Sequence, residues 1–217
     1  MSKHFDEDQP IYGIQGTKSN GFQEWYESIE DMASHYIESI LKINPEGPYA
    51  LAGFCVGGVV VFEMARQLKE QGKEVSMTLL LDSYVDSSYF FKTYKQKKWA
   101  KSYNRTRKRV TFLVQMLTSW RAFKHRINMK KEYLLNKHFD QDNAMTEQDV
   151  LALEQFTEAF SMIQSILDRY HLKPQNLKVD LFRSKNHPEY TVAPEHLGWK
   201  KAALKGVTIH NIPGDNF

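Results

Sequence analysis

Only one of the 217 residues is a cysteine, Cys55. A lone cysteine excludes an internal disulfide and any cysteine-based metal cage, and it suits a reducing cytoplasm. Long apolar runs are missing as well, none approaching the ~20 residues that a membrane helix needs. The first ten residues, MSKHFDEDQP, are polar and acidic and do not read as a secretory signal. Glycine is absent from about 85 to about 171, and that stretch shows no strand-like run either. Acidic residues nearly vanish from 92 to 137, where Glu132 alone stands against fifteen lysines and arginines. The formal net charge of +3 hides this asymmetry. A charge run is commonly a solvated helix face, and no nucleic-acid-binding module accompanies this one.

What is present suits one α/β domain, with 41% hydrophobic and 25% charged residues. Ile11 to Gly16 reads as a short strand stopped by glycine, and Ser19-Asn20-Gly21 as a loop. Ser28 is placed to cap a helix with Ile29, Met32, Tyr36, Ile37, Ile40 and Leu41 at helical spacing, and Asn44-Pro45 stops it. After the turn Pro45-Glu46-Gly47-Pro48, an apolar strand (Tyr49 to Ala52) runs into Gly53-Phe54-Cys55-Val56-Gly57-Gly58. A helical pattern follows at once, ends at Gly72 as a natural C′ residue, and gives way to Val75 to Leu81, a run apolar on both faces like a buried parallel strand. Helical spacing then dominates over 110–135 and 146–170. Two strands, Val179 to Arg183 and Val207 to Ile212, close the chain around a short turn or helix at Trp199.

The G-x-C-x-G-G turn is a nucleophile-elbow pattern with cysteine at its centre. An elbow holds that residue in a sharp strand-to-helix turn, and its flanking glycines keep a Cβ from colliding with the next strand and helix. Asp82, at the end of LLLD, has two readings on the residues alone, a turn-forming aspartate or an acid at a site beside Cys55.

With IYGIQG, SIEDMASHYIESI, GPYALAGFCVGGVVVFEMARQLKEQGKEVSMTLLLDS and VTIHNIPGD together, the chain resembles the thioesterase domains of nonribosomal peptide and polyketide synthases, type I thioesterases of the α/β-hydrolase superfamily. The resemblance implies a mostly parallel sheet with helices on both faces. The core is expected at about 10–84 and 176–217, with a helical lid inserted at about 85–171. It implies Cys55 as nucleophile, Asp82 as triad acid and the Val56 amide as an oxyanion donor. The family's base follows the last strand in a G-D-H sequence, and this chain reads Gly214-Asp215-Asn216. An amide cannot take a proton near neutral pH, so His210 is the neighbouring candidate base, although it lies within the strand. His171, His187 and His196 have no motif support. The family's first strand, with its H-G loop, and its final helix have no counterpart, so the chain reads as shortened at both ends.

The resemblance further implies release of an acyl or peptidyl chain from a carrier domain's phosphopantetheine, with no resident cofactor or metal, no nucleic acid and no membrane, in the cytoplasm. The alternative is a catalytically impaired module that binds an acidic carrier through the basic lid, where Tyr94, Trp99, Tyr103, Phe112 and Trp120 are interspersed.

Overall fold

The structure is a computed structural model and describes residues 10–14, 26–118, 157, 161–184 and 195–213. Helix α1, Ile29–Ile43, begins where Ser28 Oγ accepts the Asp31 amide at 3.0 Å, and Glu30 and Asp31 add negative charge at its positive end. It buries Ile29, Met32, Ala33 and Ile37. Strand β1, Tyr49–Phe54, alternates strictly, with Tyr49, Leu51 and Gly53 buried and Ala50, Ala52 and Phe54 exposed. Two residues later helix α2, Gly57–Glu70, sets Val59, Val60, Phe62, Met64 and Leu68 into the core. Burying each such side chain contributes about 1.5–3 kcal/mol, against the entropy of ordering the chain. A Schellman motif ends α2: the Gly72 amide donates to Lys69 O and the Lys73 amide to Leu68 O.

Strand β2, Val75–Leu81, leads into a 3₁₀ turn at Ser87–Phe90 and helix α3, Tyr94–Thr118. Residues 161–169 are helical and precede strand β3, Val179–Ser184; a 3₁₀ turn at Trp199–Lys201 precedes strand β4, Val207–Ile212. Among the described residues all three strand pairings are parallel and the order is β1-β2-β3-β4. The connections place α2 against β1 and β2, with α1 packed on α2. Trp199 is fully buried, stacks obliquely on Phe62 with centroids 5.0 Å apart, and donates its indole N–H to Ser83 O at 2.8 Å.

Two expectations change. Ile11 to Ile14 are exposed and form no strand, because no described strand lies alongside to take up their backbone groups. The second apolar run is a parallel strand, yet it is buried on one face: Thr78 and Leu80 are enclosed, while Met77 is 47% exposed and Leu79 and Leu81 are half-buried. The described helices cover the α2 side of the sheet. Its other side carries Ala52, Phe54, Met77, Phe182 and His210, all exposed or half-buried.

The helical segment between β2 and β3 is tied to the core by a buried carboxylate. Glu63 of α2, 2% exposed, receives Arg66 Nε and Nη2, Gln67 Nε2 at 3.0 Å and the Tyr170 hydroxyl at 2.9 Å. Burial, and then the negative charge of Glu63, hold the Tyr170 hydroxyl well above the ordinary tyrosine range. The hydrogen bond that Arg66 donates to Glu63 raises the guanidinium further, so this cation stays charged. Lys97 of α3 is almost fully buried and caps the end of the 161–169 helix, donating to Tyr170 O at 2.5 Å and Asp168 O at 3.1 Å. Arg66→Met strips the buried Glu63 carboxylate of its cation and is expected to cost about 3 kcal/mol, whereas Tyr170→Phe removes one hydrogen bond and costs about 1 kcal/mol. Equilibrium urea unfolding of the two variants ranks them, and a larger loss for Tyr170→Phe would contradict this account.

Candidate active site

The elbow follows from two close approaches. A Cβ on Gly53 would lie 2.3 Å from the Gly57 carbonyl oxygen, and a Cβ on Gly58 would lie 2.3 Å from Ser83 Oγ. Only glycine lets the first turn of α2 fold back onto the ends of β1 and β2. Gly57, by contrast, faces open space. Between them Cys55 is pinned at φ 52°, with its amide donating to Leu81 O at 2.9 Å and its carbonyl accepting the Gly58 amide at 3.2 Å. A left-handed conformation costs a non-glycine residue about 1–3 kcal/mol and persists where the surroundings over-determine it. The thiol-bearing residue is exposed.

Asp82 occupies the equivalent place on the neighbouring strand. Phe54 pairs with Leu81, so the next residues, Cys55 and Asp82, leave the same end of adjacent parallel strands, whose axes are about 4.8 Å apart. Asp82 is also left-handed, at φ 44°. Its amide donates to Phe182 O at 2.8 Å, and its Oδ1 accepts the Ser184 amide at 3.1 Å. The fold therefore brings Cys55 and Asp82 together.

Val56 opens α2. Neither its amide nor that of Gly57 donates to a partner among the described residues, and no acidic side chain stands in the helix's first turn. Two N–H groups and the positive end of the helix dipole are thus left to face an anion next to Cys55.

His210 is elsewhere. It lies within β4, in the same row as Phe182, Leu81 and Phe54, so three strand spacings, about 14 Å, separate it from the Cys55 end of β1. Its Nε2 meets Asp180 Oδ1 at 2.8 Å, and its ring stacks on Phe182 with centroids 4.4 Å apart. The register does not bring His210 to the elbow. Of the other histidines named from the sequence, His171 and His196 lie outside strands and His196 neighbours Glu195, while His187 falls outside the described residues, as does Asn216 at the family's base position.

Tyr89 was not anticipated. It sits in the 3₁₀ turn after β2, its carbonyl accepts the Leu172 amide, and its hydroxyl is pushed above the tyrosine range by burial and then by Asp86, Asp168 and other charges that include Cys55. An aromatic residue outside any motif gave no signal of this. Ser184, which anchors Asp82, was equally hidden, because only strand pairing places the two together.

The family profile described as "Thioesterase domain" matches residues 1–217. The chain belongs to the thioesterase domain family. It is similar, at 46% identity over 77 residues, to a dimodular nonribosomal peptide synthase of Bacillus subtilis (strain 168), a match covering 36% of this chain and 3% of that protein. A non-reducing polyketide synthase, PKS16 of Cladonia grayi, is 43% identical over 74 residues, 34% of this chain and 4% of that protein. The matched segments are thus a small part of those synthases. Among solved structures, the NocB thioesterase domain in covalent complex with a fluorophosphonate nocardicin G analogue superposes with a TM-score of 0.54 at 22% identity, covering 88% of this chain and 68% of that one. At that identity the likeness concerns the fold, which is that of the α/β-hydrolase thioesterases. The elbow glycines give a direct test. Gly53→Ala is expected to lose about 3 kcal/mol, because the obstacle is backbone, and Gly57→Ala to stay within about 0.5 kcal/mol of the parent in urea unfolding.

Proposed function

We propose that this thioesterase domain takes an acyl or peptidyl chain from a carrier domain's phosphopantetheine thioester onto Cys55 and releases it to water or to a nucleophile within the chain itself. The observation that carries this reading is the paired left-handed geometry of Cys55 and Asp82 at one end of adjacent strands, beside two open helix-terminal amides.

The Cys55 thiolate attacks the thioester carbonyl carbon, and the developing oxyanion meets the Val56 amide. Collapse breaks the bond to the pantetheine sulfur, which leaves as a thiolate and takes up the proton released from Cys55. The acyl group is then held as a new thioester on Cys55 Sγ. This exchange of one thioester for another is nearly isoenergetic. Attack by water on the acyl-enzyme completes release, giving the free acid and restoring the thiol. A cysteine at a helix N-terminus needs less help than a serine in the first step. Water in the second step still needs a base. Asp82 is the carboxylate in place to orient one, as the triad acid does in this family's arrangement. In the cytoplasm the thiol would stay reduced.

A second reading is favoured by His210. Its ring is held by Asp180 and Phe182, and no described hydrogen bond joins a histidine to Cys55. Acylation would then outrun deacylation, and the domain would serve mainly to hold a carrier or its chain. Both readings give a Cys55 adduct and differ in its lifetime. On incubation with a short acyl thioester, intact-mass measurement is expected to show one acyl group per chain, absent in Cys55→Ala and decaying slowly in the parent. His210→Ala is expected to change neither formation nor decay by more than about twofold, since the residue stands about 14 Å away. No adduct on the parent protein would remove the catalytic reading.

A further inference from the structure

Helix α3 has two faces with different duties. Its inner face is used inside the molecule: Lys97 caps the 161–169 helix, Ala100 is buried, Lys101 pairs with Asp168, and Asn104 donates to both oxygens of Asp86. Its outer face has no described partner for its most conspicuous feature, the rings of Trp99 and Tyr103. These stack nearly parallel, with centroids 5.7 Å apart and 12° between planes, yet remain 69% and 55% exposed. Around them Lys95, Lys98, Arg105 and Arg109 are exposed, and from Tyr94 to Thr118 no acidic residue offsets them.

We propose that the outer face of α3 is the docking surface for an acidic protein domain, anchored on the Trp99–Tyr103 stack and rimmed by Lys95, Lys98, Arg105 and Arg109. An aromatic pair held rigid by stacking, inside a cationic rim, has the composition of an interface centre: aromatic rings supply contact area at small entropic cost, and arginine and lysine select a partner of opposite charge. The surface is also mechanically continuous with the elbow. Lys97 on the reverse side of the same helix grips the Tyr170 carbonyl, and the Tyr170 hydroxyl reaches Glu63 on α2, the helix that begins two residues beyond Cys55. A domain docked on α3 is therefore referenced to the thiol through two hydrogen-bonded links.

A lipid surface fits this face less well. Interfacial helices carry a broad apolar side, whereas the exposed residues of α3 between Lys95 and Arg109 are polar or cationic apart from the two rings. Nucleic acid fits less well because each ring already spends one face on the other, leaving a poor platform for successive bases.

The proposal rests on the reading that the domain receives its chain from a carrier, and it names where that carrier sits. The probe is a fluorescently labelled holo acyl carrier protein with an acidic surface, titrated with the full chain. Acyl transfer to Cys55 is followed in parallel from the acylated carrier and from a free acyl-N-acetylcysteamine. Trp99→Ser, and separately the pair Lys98→Glu with Arg105→Glu, are expected to weaken carrier binding by about tenfold or more, and binding by the parent is expected to fall as salt rises. Acylation from the free thioester is expected to stay within about twofold in both variants, which also reports that they fold. Absence of carrier binding by the parent, or unchanged binding in both variants, overturns the docking surface. So does tighter binding to anionic lipid vesicles or to single-stranded RNA than to the carrier, lost in the same variants. Carrier binding that depends on Trp99, with no Cys55 adduct from either donor, overturns the catalytic reading and upholds the docking surface.

Discussion

The close approach of the first turn of α2 to the ends of β1 and β2 is the constraint on which the site depends. Two glycines remove the Cβ atoms that would stand in the way, and everything chemical follows from the space they vacate. Because only two residues separate β1 from α2, Cys55 is held in a left-handed turn, its residue is exposed, and the helix's first amides follow it directly in the chain. The strain at Cys55 is matched across the strand boundary by strain at Asp82. Both residues are held by backbone hydrogen bonds to the next strand over, Leu81 for one and Phe182 for the other. The sheet thus fixes them as a pair.

The sheet is asymmetric in the described residues. The helices and the Trp199 turn bury one side, and the core is built from that side's residues, Leu51, Leu80, Val179 and Leu181, against α2. The opposite side presents Phe54 and Met77 beside the Asp180–His210 pair. The strand order and register set His210 three strands from the elbow, and its Nε2 meets Asp180 of the neighbouring strand there.

Much of this was legible. The elbow was readable because its glycines answer a steric demand local in sequence, and the helix starts and stops were readable because Ser28, Asn44 and Gly72 act on backbone groups within a few residues. The strands Tyr49–Phe54, Val179–Ser184 and Val207–Ile212 appear where apolar and β-branched residues recur. The Ile11 run shows the limit: four residues of strand-like composition form no strand without a neighbour to pair with. The same limit hid the partners that decide chemistry. That Asp180 rather than Asp82 meets His210, that Ser184 steadies Asp82, and that Tyr170 reaches Glu63 across 107 residues are facts of register and packing.

The buried carboxylate on α2 has a consequence for how the helix can move. A helix packed only by aliphatic side chains can creep along its axis, since one methyl group replaces another at little loss. Glu63 makes such creep discontinuous: a displacement by one turn, about 5.4 Å, would carry a charged oxygen away from the Tyr170 hydroxyl and into an apolar layer. The helix is indexed at a single tooth. Any flexing of the segments joined at Tyr170 is therefore felt at α2 as a push on a fixed rod, and the thiol at its tip keeps one depth relative to the sheet.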